Sequence, residues 1–157
     1  MPGEPLLLGI ASIAAVVAGF TAVTAALVPP GGSWQPAMRI RQRAIVSTSL
    51  NVMFESLAPL IAFAWLGDAR AALAVTSAGV AVYLTGIVTW RARQLLRAGG
   101  TRTRTTLVLF TLGPVATLLF WANALVLGSL AVYALALCIQ LSVAAVSFYS
   151  LVSAAQS

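Results

Sequence analysis

The sequence predicts an all-α, polytopic membrane bundle of about five transmembrane helices with its N-terminus outside and its C-terminus in the cytoplasm. Three observations predict it. Of 157 residues, 61% are hydrophobic and only 8% charged, against roughly 25% charged in a soluble domain. Apolar runs of about 20 residues, each long enough to cross a ~30 Å hydrocarbon layer as helix, are separated by Gly, Pro and Arg clusters. Eight of the nine arginines fall in two alternate junctions between those runs. At this length the runs fill the chain, so residues 1–157 read as one transmembrane domain.

The first span covers about residues 6–28. It reads as a transmembrane helix in preference to a cleaved leader, because Glu4 stands where a leader has a positive n-region and the apolar core is longer than a leader's. Pro29-Pro30-Gly31-Gly32 ends it. Ser33 is placed to cap a helix beginning near Pro36, which carries a second span over 44–66. Gly67-Asp68-Ala69-Arg70 turns the chain into a third span, 71–90, whose helix runs on through Arg91, Arg93 and Arg97 to Gly99-Gly100. A fourth span follows over 106–127. Gly128-Ser129 then breaks a stretch too long for one crossing, giving a fifth span over 129–152.

Orientation follows from the arginines. Arg39, Arg41 and Arg43 lie between spans one and two, and Arg91, Arg93, Arg97, Arg102 and Arg104 between spans three and four. Both junctions face the same side, and the positive-inside rule makes that side cytoplasmic. These arginines set topology and meet anionic lipid headgroups. Trp34 and Trp90 fall at the expected inner interface, Trp65 and Trp121 at the outer one. The formal charge of +6 therefore points to a lipid bilayer and not to nucleic acid. Arginine without lysine, with abundant alanine, suits a GC-rich bacterial genome and a bacterial inner membrane.

Absences narrow the function. No histidine or lysine is present, which removes the commonest general base and metal ligand and any Schiff base. Cys138 is the only cysteine, so no intrachain disulfide or Cys-rich metal site can form. Phosphate-binding glycine motifs are missing. No cofactor, metal or catalytic residue is expected, and enzyme is the weakest class.

Glu55 is the only ionisable side chain deep in a span, halfway between Arg43 and Leu66. A charge there costs about 2.5–3.5 kcal/mol on insertion scales, so it must face protein or water, or be protonated. Ser47, Asn51 and Glu55 recur every four residues as one polar stripe with Thr48 beside it, leading from the arginine-rich side to mid-membrane. Pro59 lies four residues beyond Glu55 and removes the helical hydrogen bond to the Glu55 carbonyl. Gln140, near the middle of span five, is one candidate partner. The functional reading is a small transport protein, an oligomeric channel or carrier for protons or cations, with copies of Glu55 forming a ring in a homo-oligomer. The bland reading is a protonated Glu55 bonded across a helix interface.

Span one presents Ala11, Ala15 and Gly19 on one face with Ala14, Ala18 and Ala22 adjacent. Such a surface lets helices approach closely. It serves packing within the chain on one reading and a subunit interface on the other, and the interface supports the alternative function, a non-catalytic accessory or regulatory subunit of a larger membrane complex. Finally, Ser56-Leu57-Ala58-Pro59 with Trp65 and Asp68 echoes Thr111-Leu112-Gly113-Pro114 with Trp121 and Asn123. Two copies of one helical hairpin would give that echo.

Overall fold

The computed structural model describes residues 1–26, 36–97 and 104–155. Those residues form α1 (Glu4–Ala26), α2 (Pro36–Leu66), α3 (Ala69–Arg97), α4 (Arg104–Ala122), a π turn (Asn123–Leu127) and α5 (Leu130–Ala155). No strand occurs among the described residues. Pro29–Gly32, Ser33, Trp34, Gly99, Gly100 and Arg102 lie outside them, as do the side chains of Arg39, Arg41, Arg91, Arg97 and Arg104. Arg43 and Arg93 are exposed.

α2 starts at the predicted Pro36 and runs 31 residues without a break through Pro59. α3 extends to Arg97, past the apolar run. Four helices are long and apolar enough to cross a membrane, within Glu4–Val23, Gln42–Leu66, Ala69–Trp90 and Leu130–Tyr149. The described apolar stretch of the fourth segment, Thr111–Leu127, is shorter and closes in the π turn.

Two tight turns set the packing. Gly67 and Gly128 both have positive φ, the left-handed conformation that ends a helix without a Cβ penalty. After Gly67, the Asp68 carboxylate caps α3 by accepting from the amides of Arg70 (2.7 Å) and Ala71 (3.3 Å). Before Gly128, Asn123 anchors the other turn: its carbonyl accepts from the Gly128 amide (2.8 Å) and its side-chain oxygen from the Ser129 amide (2.7 Å). The Arg70 guanidinium donates to the Val126 carbonyl at 3.3 Å, which brings both turns to one end of the bundle. Gly3 lies against Leu130, so α1 also starts at this turn end.

α2 packs on α3, α3 on α4, α4 on α5 and α5 back on α2, closing a ring of four helices. α1 lies along α2 and α5. Leu7, Ile10, Val52, Phe120, Tyr133 and Leu137 form the centre of the core, and the Phe120 and Tyr133 rings meet edge to face at 5.2 Å. The outward faces are apolar as well, with Phe20, Phe54, Leu118 and Tyr149 all exposed.

Part of the small-residue surface of α1 packs within the chain, and one expectation, for Trp121, is corrected. The buried line of α1 is Ala11, Ala14 and Ala18, while Ala15, Gly19 and Ala22 are exposed. The helix is apolar all round, so hydrophobicity did not fix its rotation. Trp121 is not at a bundle end. Asn123 is level with Ser77 and Gly113 lies against Val88, which puts Trp121 abreast of the middle of α3, where its indole N–H donates to the Thr85 hydroxyl at 3.2 Å. Trp65 and Trp90 are exposed towards the C-terminal ends of α2 and α3, which lie at opposite ends of the bundle.

Candidate functional site

The three acidic residues have separate employments. Glu4 lies 3.6 Å from the N-terminal ammonium at the turn end, and Asp68 caps α3. Glu55 remains, and it is buried, 7% exposed, in the interior.

Counting explains its partner. Glu55 precedes Leu66, the last residue of α2, by about three helical turns, and Gln140 follows Leu130, the first residue of α5, by nearly as many. Both helix ends lie at the turn end, so the two side chains reach the same depth, about 15–16 Å in. There the Gln140 amide Nε2 donates to Glu55 Oε2 at 2.6 Å. Glu55 Oε1 is buried with no hydrogen-bond partner among the described residues. Gln140 is itself 6% exposed.

The backbone at Glu55 is equally specific. Pro59 has no N–H to return to the Glu55 carbonyl, and a buried unpaired carbonyl is costly. The Tyr133 hydroxyl fills the gap, donating to that carbonyl at 2.7 Å. One helix, α5, thus holds Glu55 at two points. Sequence reasoning placed the open carbonyl and the Gln140 partner but missed Tyr133. Its position two turns before Gln140, on the same face of α5, was the available signal.

The predicted approach stripe does not gather at the carboxyl. Ser47 is exposed and Thr48 half-buried. The Asn51 amide donates to the Tyr83 hydroxyl of α3 at 2.9 Å, at the bundle surface. The hydroxyl that α2 does bury towards its arginine-bearing end is Ser49, wholly enclosed and without a hydrogen-bond partner among the described residues. A second polar pair sits towards the turn end, where the buried Asn123 amide donates to the buried Ser77 hydroxyl at 2.8 Å. Most other hydroxyls bond back to their own helices, as Thr76, Thr85, Thr117 and Ser142 do.

The expected ring of Glu55 carboxylates from several copies is not supported. A ring needs the side chain on an outer face, and this one is enclosed by its own bundle and joined to Gln140 of the same chain. Among the described residues no three His, Cys, Asp or Glu side chains come together. The arrangement can hold and release a proton on a carboxyl kept away from solvent, with Gln140 steadying one oxygen and leaving the other free. No family model, curated protein or solved structure matches the chain, so its chemistry rests on this geometry alone.

Proposed function

We propose that the chain is an integral membrane protein of five spanning helices, N-terminus outside and C-terminus cytoplasmic, that transports protons or cations through the Glu55 site. The apolar outer faces, including Phe20, Phe54 and Leu118, suit acyl chains. The exposed Arg43 and Arg93 suit the cytoplasmic headgroup layer. The turn end, with Asp68 and Arg70, then faces outwards.

One observation carries the transport reading: the Glu55 carboxyl is buried at mid-length of its helix with one oxygen bonded to Gln140 and the other unpartnered. An ionisable residue at membrane depth is by default a functional one. A purely structural contact would be served as well by a second amide, which has no charge to hide. The site is complete within one chain, so transport does not need an oligomer to form it. In reconstituted liposomes the wild type should pass protons or cations, and Glu55→Gln should abolish or alter that flux while the protein still folds. Equal flux from both proteins, or none from the wild type, rejects the proposal.

The accessory-subunit reading keeps one observation in its favour. Ala15 and Gly19 of α1 are exposed, and Gly19 has open space where a Cβ would stand. That surface could take a partner helix. Constant co-purification of one foreign membrane protein, with no flux from the isolated chain, would favour it.

A further inference from the structure

We infer that the species bound at Glu55 is a proton and not a metal cation, carried on Oε1 with Gln140 and Tyr133 as positioning residues. The inference rests on the transport reading and narrows its substrate class.

The donor set decides it. Hard cations need several oxygens: six to eight for calcium, and a near-octahedral shell for magnesium. Membrane carriers that bind sodium find such oxygens on backbone carbonyls freed where a helix is interrupted. Here Pro59 frees the Glu55 carbonyl, but the Tyr133 hydroxyl points its hydrogen at that oxygen from 2.7 Å. The Ser56 hydroxyl is spent on the Val52 carbonyl at 2.7 Å. Glu55 Oε2 accepts from the Gln140 amide at 2.6 Å, so a hydrogen already stands where an ion would approach that lone pair. The two orientations of the Gln140 amide differ in which carboxyl oxygen bears the proton, and the orientation with Nε2 inward leaves it to Oε1. With Nε2 inward the amide donates to the carboxyl, and with its oxygen inward a contact this short requires a proton on Oε2. Of the three oxygens of Glu55, the backbone carbonyl and Oε2 are therefore faced by hydrogens and Oε1 is not.

A proton needs only that one oxygen. With Oε1 as the hydroxyl of a neutral carboxyl, Oε2 becomes the carbonyl oxygen and accepts from Gln140 as observed. The step is carboxylate plus hydronium giving carboxylic acid plus water, with no bond to carbon changed. Few other charges bear on it. α5 brings Tyr133 and Gln140, and α3 brings Tyr83 only as far as Asn51. In α1 the sole acidic or basic side chain is Glu4, at the turn end.

The test is infrared spectroscopy of the full chain in liposomes, following the protonated-carboxyl C=O stretch against pH. A band that titrates and disappears in Glu55→Gln identifies the group, and Glu55→Asp, which keeps a carboxyl, should restore a titrating band. Replacing N-methylglucamine with sodium or potassium at constant ionic strength should leave the midpoint unmoved. Calcium and magnesium should leave it unmoved too. Tyr133→Phe should retain the titration and its indifference to salt. A midpoint that falls as sodium or potassium rises would show competition for Oε1 and overturn the inference, while leaving transport standing. No titrating Glu55 band at any pH would also overturn it. Conversely, a salt-independent titration in liposomes without flux would uphold the proton site and reject transport.

Discussion

Replacing Tyr133 by Phe removes one oxygen atom and retains the ring that packs on Phe120. The direct loss is the 2.7 Å hydrogen bond to the Glu55 carbonyl. In a helix without proline that loss would be modest, because the carbonyl would still accept the amide four residues on. Here that residue is Pro59, inside α2, and it has no N–H. The carbonyl is therefore left bare in a buried place, which costs about 1–3 kcal/mol in soluble proteins. Side-chain hydrogen bonds in a membrane average about 0.6 kcal/mol and reach about 1.7 kcal/mol. With no substitute donor, and in the membrane setting proposed, the expected cost is the upper part of that range, about 1–1.7 kcal/mol. The cause can be isolated with Pro59→Ala, which returns an N–H to the helix. In that background Tyr133→Phe should cost less than about 0.5 kcal/mol, the limit within which independent sites add. The assay is reversible denaturant unfolding of the reconstituted protein for the four members of the cycle. Equal costs of Tyr133→Phe with and without Pro59 would refute the argument, since the hydroxyl would then be doing something other than replacing the proline's missing donor.

Two further contrasts test the fold. Gly67 and Gly128 share the left-handed conformation, but a Cβ at Gly67 meets open space and one at Gly128 comes within 2.5 Å of Arg70 Cγ. Gly67→Ala should therefore cost about 1–2 kcal/mol of strain. Gly128→Ala should cost more, and an added Arg70→Ala should recover the excess, by the same unfolding assay. On α1, Ala14→Leu should destabilise by about 1–3 kcal/mol through overpacking, because Ala14 is fully buried. Ala15→Leu, on the exposed face, should change stability by less than about 0.5 kcal/mol. Equal effects at the two positions would mean that α1 is rotated from the orientation described.

Depth was legible in the sequence, but rotation was not. Runs of apolar residues ended by Gly67-Asp68 and Gly128-Ser129 located the helices, and counting from those turns put Glu55 and Gln140 level. Proline chemistry told where a carbonyl lay open. What failed for the polar stripe of α2 and for α1 was the facing of a side chain around its helix. Asn51 and Glu55 are one turn apart and nominally on one stripe, yet Asn51 turns to Tyr83 of α3 and Glu55 to Gln140 of α5. The reason is physical: α2 meets α1, α3 and α5 at once, so one polar stripe is wide enough to border two neighbours. Helices apolar on every side carry no hydrophobic asymmetry to say which neighbour wins. Ala14 over Ala15 on α1 was hidden by the same lack of contrast, whereas Trp121 was misplaced in depth, because five residues of π turn separate it from Gly128.

The coincidence at Glu55 is the strongest argument that the site is more than packing. Two separate liabilities stand at one residue: an ionisable side chain away from water and a backbone carbonyl deprived of its helical donor. Either could be removed by a single substitution, Glu55→Leu or Pro59→Ala, without altering the length of α2. Instead, α5 supplies a separate donor to each, Gln140 to the carboxyl and Tyr133 to the carbonyl. A bundle needing only to hold α2 against α5 would gain as much from leucine at all four positions. Keeping both liabilities and matching each with a donor from one helix makes sense when the carboxyl must change its protonation while the helix around it stays aligned. Tyr133 secures the backbone independently of the side chain's charge. On the proposed proton reading, loss of a proton from Oε1 would alter the bond to Gln140 and leave the Tyr133 bond beside Pro59 intact.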